Sequence, residues 1–346
     1  MKAFFSDDQL LHDPQQYMRV GRLCKPTDLP TRAQALMATL ATRGIAVAVP
    51  PEAGRAALER VHATDYLDYL ETAFARWREI RSFGLEPGIE VLPNMSPHGP
   101  RTGACPSPSV LAQTGWYVGD LSCPIGPDTW RSVLRSAHAA LAAAETVRDA
   151  GDRVAYALCR PSGHHAQRAR AAGFCYVNNS AIAAATLRDR YARVAVLDID
   201  AHHGDGTQQI FYERDDVLTV SVHADPAGYY PWYTGYEHER GAGAGEGFNL
   251  NLPLAHGSGD DAFAQALDRA TAAIERFRPE ALVLPLGFDT YVDDPISVLR
   301  FDMAAFRLAG ERVRALGLPT VVVQEGGYMV EAIGAALDAF LEGLRA

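Results

Sequence analysis

The segment DIDAHHGDGT, residues 198–207, sets three carboxylates and two adjacent histidines within ten positions, with no Lys or Arg to neutralise them. An apolar run, RVAVLDID (193–200), leads into it, so the cluster falls at the end of a buried strand. Strand side chains alternate, which puts Asp198, Asp200 and His202 on one side if the extended conformation persists. Asp200 and His202 could then chelate one ion. Carboxylate and imidazole suit zinc, with iron or manganese as substitutes. A catalytic zinc site needs a third protein ligand and an open position, and Asp289, at the end of LGFD, is the obvious supplier. Taken singly, Asp200 reads as a turn cap and His202 as a satisfied core histidine; it is the constellation that points to a metal. A second, bridged metal would want an Asp-x-His-x-Asp run. Gly204 stands where its last acid would be, so one ion per chain is expected.

His164 and His165, in SGHH, follow a Pro-Ser-Gly turn and share no face with a third ligand, which makes them a poor chelate. Two imidazoles beside a metal suit general acid–base work, because they titrate near neutrality. Each needs a carboxylate on its other ring nitrogen to hold tautomer and orientation, and Asp198 and Asp205 are the spare acids. A pair of structural histidines lining a turn is the competing reading. Tyr328 ends QEGGY, where paired glycines permit close backbone approach and a phenol could bond a developing oxyanion. GAGAGEG (241–247) is no phosphate loop: it fails the GxGxxG spacing and precedes a strand instead of following one.

Such residues need elements to carry them. Apolar runs of strand length occupy 2–6, 45–49, 153–159, 193–200, 217–223, 281–289 and 319–325. Helical periodicity fills 31–43, 128–150, 178–190, 260–277 and 302–316. Continuous apolar strands alternating with helices predict an α/β fold, a parallel sheet covered on both faces. Every polar cluster named above falls at a strand's carboxyl end, where open parallel sheets bind ligands. A single domain over 1–346 is expected. Residues 84–127, with eight prolines and seven glycines, predict a surface insertion that shapes a site or an oligomer contact.

The net charge is −10, and no block of Lys or Arg offers a footprint for nucleic acid. The five cysteines are odd in number and lack a CxxC pair, as expected of reduced thiols. MKAFFSDDQLLHD reaches acids by its seventh residue, unlike a signal peptide, and no apolar stretch approaches the ~18 residues of a membrane span. A cytoplasmic protein with no membrane partner is expected.

Together, RPSGHH, GFCYVNN, DIDAHHGDGTQ, VSVH, GFD and EGGY resemble the zinc-dependent histone deacetylase superfamily from about residue 60 to Tyr328. The glutamate of EGGY, the DPIS after the third ligand, the proline-rich insertion and GYYPWYTGY (228–236) resemble its bacterial acetylpolyamine amidohydrolase branch. The resemblance implies an arginase–deacetylase fold around an eight-stranded, mainly parallel sheet. It implies zinc on Asp200, His202 and Asp289, with His165 as base and then acid and His164 tuning the charge. Asp205 and Asp198 would be their respective carboxylate partners, and Tyr328 would polarise the scissile carbonyl. Phe174, with Gly173 beside it, and Tyr230 would face each other across a narrow substrate channel. Structural potassium would use Asp198 and Ser221. Ser162 departs from the family's Pro-Pro-Gly-His-His, a change that turn chemistry tolerates. Asp120 is the candidate acid to meet a substrate's distal ammonium. The expected activity is removal of acetyl from the terminal amine of a small acetylated diamine or polyamine, in a homodimer formed through 84–127. Deacylation of acyl-lysine in proteins or peptides is the alternative, and a non-catalytic metal sensor is the rival from another class.

Overall fold

The computed structural model describes residues 1–81, 84 and 86–345; Leu85, within the expected insertion, lies outside the described residues. Among the described residues ten strands are formed: β1 (Lys2–Phe4), β2 (Tyr17–Arg19), β3 (Arg22–Cys24), β4 (Val47–Ala48), β5 (Val154–Ala157), β6 (Val194–Asp198), β7 (Val217–Ala224), β8 (Asn249–Leu254), β9 (Ala281–Leu286) and β10 (Thr320–Gln324). Ten α-helices accompany them: α1 (Pro30–Thr42), α2 (Ala56–Glu59), α3 (Thr64–Arg78), α4 (Val110–Tyr117), α5 (Thr129–Asp149), α6 (Asn179–Leu187), α7 (Asp205–Phe211), α8 (Asp260–Phe277), α9 (Met303–Leu316) and α10 (Val330–Arg345).

Eight strands pair in the order β4-β1-β5-β10-β9-β6-β7-β8, every pairing parallel. Alternation along the strands divides the core. Ala155, Ala157, Val194, Val196, Val321 and Val323 face one layer, with α3, α5 and α6. Tyr156, Leu158, Ala195, Leu197, Leu284 and Val322 face the other, with α1, α8, α9 and α10. Burial on both faces explains why these strands read as continuous apolar runs. Helix ends follow from local chemistry: Asn178 caps α6 by accepting from the Ala181 N–H at 2.8 Å, and two acids, Asp260 and Asp261, open α8 against its N-terminal dipole.

Residues 84–127 depart from a pure surface excursion. They contain α4, and Val91, Tyr117, Val118, Cys123 and Ile125 are buried in the core with α3 and α5. Prolines and glycines between these anchors break the periodicity by which a packed segment is recognised. The β2–β3 hairpin is antiparallel and separate from the main sheet. Its strands are three residues each, too short to stand out as alternation.

Four sheet neighbours in the centre, β5, β10, β9 and β6, are the strands that end in RPSGHH, EGGY, GFD and DIDAHH. With strands ~4.8 Å apart, their ends form one contiguous floor.

Helices α9 and α10 cross where Gly310 meets the Phe340 carbonyl and Gly343 meets the Arg307 carbonyl, so a Cβ at either place would strike backbone. Gly310→Ala should gain ~1 kcal/mol in helix propensity and lose ~1–3 kcal/mol to overpacking. The net expectation is a lower midpoint in urea with unchanged metal content. A midpoint at or above wild type would mean that the two helices separate freely.

Candidate active site

At the end of β6 the chain turns through Asp198, Asp200 and His202, and β9 brings Asp289 beside them. Donor atoms of Asp200, His202 and Asp289 all lie within 4.8 Å of one another. His202 Nδ1 is 3.2 Å from Asp200 Oδ1 and 2.9 Å from Asp289 Oδ2. Backbone N–H groups aim the carboxylates: Gly326 donates to Asp200 Oδ2 at 2.8 Å, and Ala201 donates to Asp289 Oδ1 at 2.9 Å. Such close backbone approach requires glycine, since a Cβ on Gly326 would lie 2.5 Å from Asp289 Oδ2. Tyr229 stacks on the His202 ring with centroids 4.5 Å apart.

The charges show what this nest lacks. Burial and the facing Asp200 charge push Asp289 up to about 7. Burial alone would lower His202, but its bonds to Asp200 and Asp289 outweigh that and raise it to about 9. Asp200 is held ionised below the usual carboxylate range, because the His164 and His202 charges override its burial. Two buried acids sharing one imidazolium form a donor set that fits a divalent cation better than a proton, and zinc accepts O and N ligands of this kind.

A second convergence, His164, Cys175 and Glu325, also places donor atoms within 4.8 Å. Its groups are already engaged. Glu325 Oε2 accepts from the Gly163 and His164 N–H groups at 2.7 and 3.2 Å, and Oε1 accepts from the Ser180 hydroxyl at 3.0 Å. Burial raises the Cys175 thiol well above its ordinary value, opposing the thiolate that a metal requires. This cluster reads as a clamp from β10 onto the histidine turn.

The two histidines sit in opposite fields. His164 Nδ1 lies 3.0 Å from Asp198 Oδ2, and His165 Nδ1 lies 2.7 Å from Asp205 Oδ1. Burial disfavours charge on both. For His164, Asp198, Asp200 and Glu325 overcome it and raise the pKa well above the ordinary value. For His165, the like charges of His164 and His202 add to burial and lower it well below. Burial also raises Asp205 to about 6.

Tyr328 lies beyond the Gly-Gly turn, its N–H donating to Asp294 Oδ2 at 2.6 Å. The Arg32 guanidinium lies 4.6 Å from its ring centroid. Burial raises the phenol well above its ordinary value, against the pull of Arg32, so its hydroxyl keeps its proton. Arg32 itself is buried, bonded to Asp28 and to the carbonyls of Glu325 and Gly327. Arg160 shares Asp28, donating to its Oδ1 at 3.1 Å. This cluster escaped sequence reasoning, since Arg32 sits in an ordinary polar helix start and only the i,i+4 spacing from Asp28 offers a hint. Asp294 and Tyr229 lie within DPIS and GYYPWYTGY, but neither motif by itself marks which of its side chains reaches the site.

Phe174 packs toward Tyr328 and Tyr230 against His165. The Phe174 ring is 5.9 Å from Tyr328, and Tyr230 sets its edge on His165 at 4.9 Å. Phe174 has φ 67°, a left-handed conformation that costs a bulky residue energy and occurs mainly at functional sites. Tyr17 adds a third wall, its ring 5.6 Å from Phe174. Asp120 is not a free acid at the entrance. Its Oδ2 accepts from the Tyr230 hydroxyl at 2.7 Å and the Gly173 N–H at 3.1 Å, while Oδ1 accepts from Ser122 N and Oγ at 2.9 and 2.6 Å. With both oxygens committed, it braces the two walls and has no obvious lone pair left for a substrate ammonium. Asp198 and Ser221 are register partners across β6 and β7, and the Ser221 hydroxyl lies 2.7 Å from His223 Nδ1.

The histone deacetylase domain model matches residues 27–344. An acetylpolyamine amidohydrolase of Burkholderia pseudomallei is 47% identical over 346 residues, covering 100% of this chain and 99% of that relative. Acetylpolyamine amidohydrolase 1 of Pseudomonas aeruginosa is 44% identical, covering 99% and 98% of the two chains. The crystal structure of acetylpolyamine aminohydrolase from Burkholderia pseudomallei superposes with a TM-score of 0.95 over 100% of this chain and 99% of that one, at 47% identity. On the match to the family model and on these full-length likenesses, the chain belongs to the histone deacetylase family, within its acetylpolyamine amidohydrolase branch.

Proposed function

We propose that this enzyme is a zinc amidohydrolase that removes acetyl from the terminal nitrogen of acetylated diamines or polyamines. The observation that carries the reading is the convergence of Asp200, His202 and Asp289 on one point, beside two histidines each bonded through Nδ1 to a buried carboxylate. Asp200, His202 and Asp289 would hold the zinc; Fe2+ or Mn2+ could replace it. When bound there, zinc supplies Lewis acidity that polarises an amide carbonyl and acidifies water.

The chain's own groups do the proton work. His165 is kept neutral, and Asp205 fixes Nδ1 as its protonated nitrogen, which leaves Nε2 to take a proton from the attacking water. The same nitrogen returns a proton to the departing amine. His164, held cationic between Asp198 and Asp200, offsets negative charge that builds on the carbonyl oxygen. The Tyr328 hydroxyl donates to that oxygen. Phe174, Tyr230 and Tyr17 form walls suited to a methylene chain, with Gly173 and Tyr230 held in place by Asp120.

Further parts of the reading have their own support. Potassium at Asp198 and Ser221 is favoured by their adjacency across two strands. A homodimer through 84–127 is favoured by Met95, an apolar side chain 61% exposed in that segment. All five cysteines are free thiols, which favours the cytoplasm. Among the described residues no helix is long and apolar enough to cross a membrane.

Asp200→Ala, His202→Ala and Asp289→Ala should each lose zinc and activity, because three protein ligands leave no redundancy. Metal analysis by mass spectrometry checks this, and a full equivalent of tightly held zinc in all three variants would refute the assignment.

His165→Ala should keep its metal and lose at least ~10²-fold in kcat, with His164→Ala losing less. Tyr328→Phe should cost ~10²–10³ in kcat while substrate still binds. Steady-state kinetics at matched zinc occupancy decide, and wild-type rates in either the His165 or the Tyr328 variant would remove that residue from the mechanism.

N-acetylputrescine or N-acetylcadaverine should show a higher kcat/KM than any acetyl-lysine peptide. Asp120→Ala, which removes the brace on both walls, should lower kcat/KM by similar factors for an acetyldiamine and for its uncharged alkyl analogue. A loss confined to the charged substrate would return Asp120 to the role of ammonium acceptor. A preference for peptides would favour the acyl-lysine alternative.

A further inference from the structure

Away from the strand ends, Leu11 and residues 13–15, the pair Ile89 and Glu90, and the turn 126–129 line a cavity of about 280 Å3. This is near the small end of ligand cavities, which run roughly 300–1,000 Å3. Its charged lining residues are Asp13, Glu90 and Asp128, with no Lys, Arg or His among them. Asp13 lies on the exposed rim and Asp128 is half-buried, whereas Glu90 is only 5% exposed.

Glu90 is the informative group. Its Oε1 accepts the Gln15 N–H at 2.9 Å, but Oε2 has no partner among the described residues. Burial pushes this carboxyl up from its ordinary value, against the pull of the Gln15 and Gln16 N–H groups. A buried carboxylate oxygen without a donor is costly, and a cationic donor would offset that cost.

The kind of cation follows from the rest of the lining. Asp13, Glu90 and Asp128 are not among the groups whose donor atoms converge within 4.8 Å, so they do not form a metal chelate. Leu11, Pro14, Ile89 and Pro127 share the lining with the acids. Carboxylates that share a cavity with apolar surface suit a ligand carrying both ammonium groups and methylenes.

We propose that this cavity binds an alkyl diammonium ion, with one ammonium on the free oxygen of Glu90 and the methylene chain along Leu11, Pro14 and Ile89. The inference is independent of the deacetylase reading. None of the cavity's lining residues belongs to the proposed metal, proton-transfer or channel groups.

Isothermal titration of cadaverine into the zinc-loaded full chain tests it. A binding event is expected that weakens at least ten-fold in Glu90→Gln, while that variant hydrolyses an uncharged N-alkylacetamide at the wild-type rate. Asp13→Asn and Asp128→Asn should weaken the same event, and they carry the test if thermal melting shows that Glu90→Gln is unfolded. Failure of the deacetylase reading would abolish hydrolysis and leave the Glu90-dependent event in place. No cadaverine binding by wild type, or an isotherm unchanged in all folded variants, overturns the proposal.

Discussion

Asp200 and Asp289 are buried and face a single imidazole. Burying charge without a counter-charge is among the most expensive things a fold can do, and among the described residues no Lys or Arg pairs with either carboxylate. The surrounding structure is arranged to meet that cost. Backbone N–H groups of Ala201, His202 and Gly326 point at the carboxylates, and Gly287 and Gly326 let two neighbouring strand ends come close enough to do so. The order β5-β10-β9-β6 makes the approach possible, because it sets four chemistry-bearing loops side by side at the sheet's centre.

The same constraint separates the roles of two neighbouring histidines. Their rings are 4.1 Å apart, so both cannot carry charge cheaply. His164 sits on the acid side, near Asp198, Asp200 and Glu325, and takes the proton. His165 sits against Tyr230 and the His202 edge, and stays neutral. Divergent environments for paired titratable groups are how one site holds an acid and a base at the same pH. Glu325 ties this arrangement to β10 through the turn's N–H groups, and Asp120 does the corresponding work for the channel walls.

Much of this is legible in the sequence, for identifiable reasons. Strands buried on both faces give continuous apolar runs, so the alternation of β and α and the position of each polar cluster at a strand end can be read directly. The two-residue step from Asp200 to His202 brings those residues forward as a chelating pair, and the end of LGFD brings forward Asp289. Groups that act through space are harder to find. Arg32 and Asp28 lie near 300 residues before Tyr328, Arg160 joins them from β5, and nothing local in LPTRAQAL marks a buried guanidinium. Asp120 is visible as an acid near the channel, but its four donors come from Ser122, Gly173 and Tyr230, two of them on distant segments, so its bracing geometry depends on the tertiary fold. In 84–127, prolines and glycines hide the packing of Val91, Val118 and Ile125 behind the composition of a loop.

The central claim is that one divalent ion belongs in the oxygen- and nitrogen-rich nest of Asp200, His202 and Asp289, and not among His164, Cys175 and Glu325. X-ray absorption at the zinc edge of the loaded protein separates the two, since only the second set contains sulfur. The account predicts a shell of light N and O ligands at about 2.0–2.2 Å with imidazole scattering and no sulfur. A Zn–S distance at about 2.3 Å would contradict it and move the metal to Cys175.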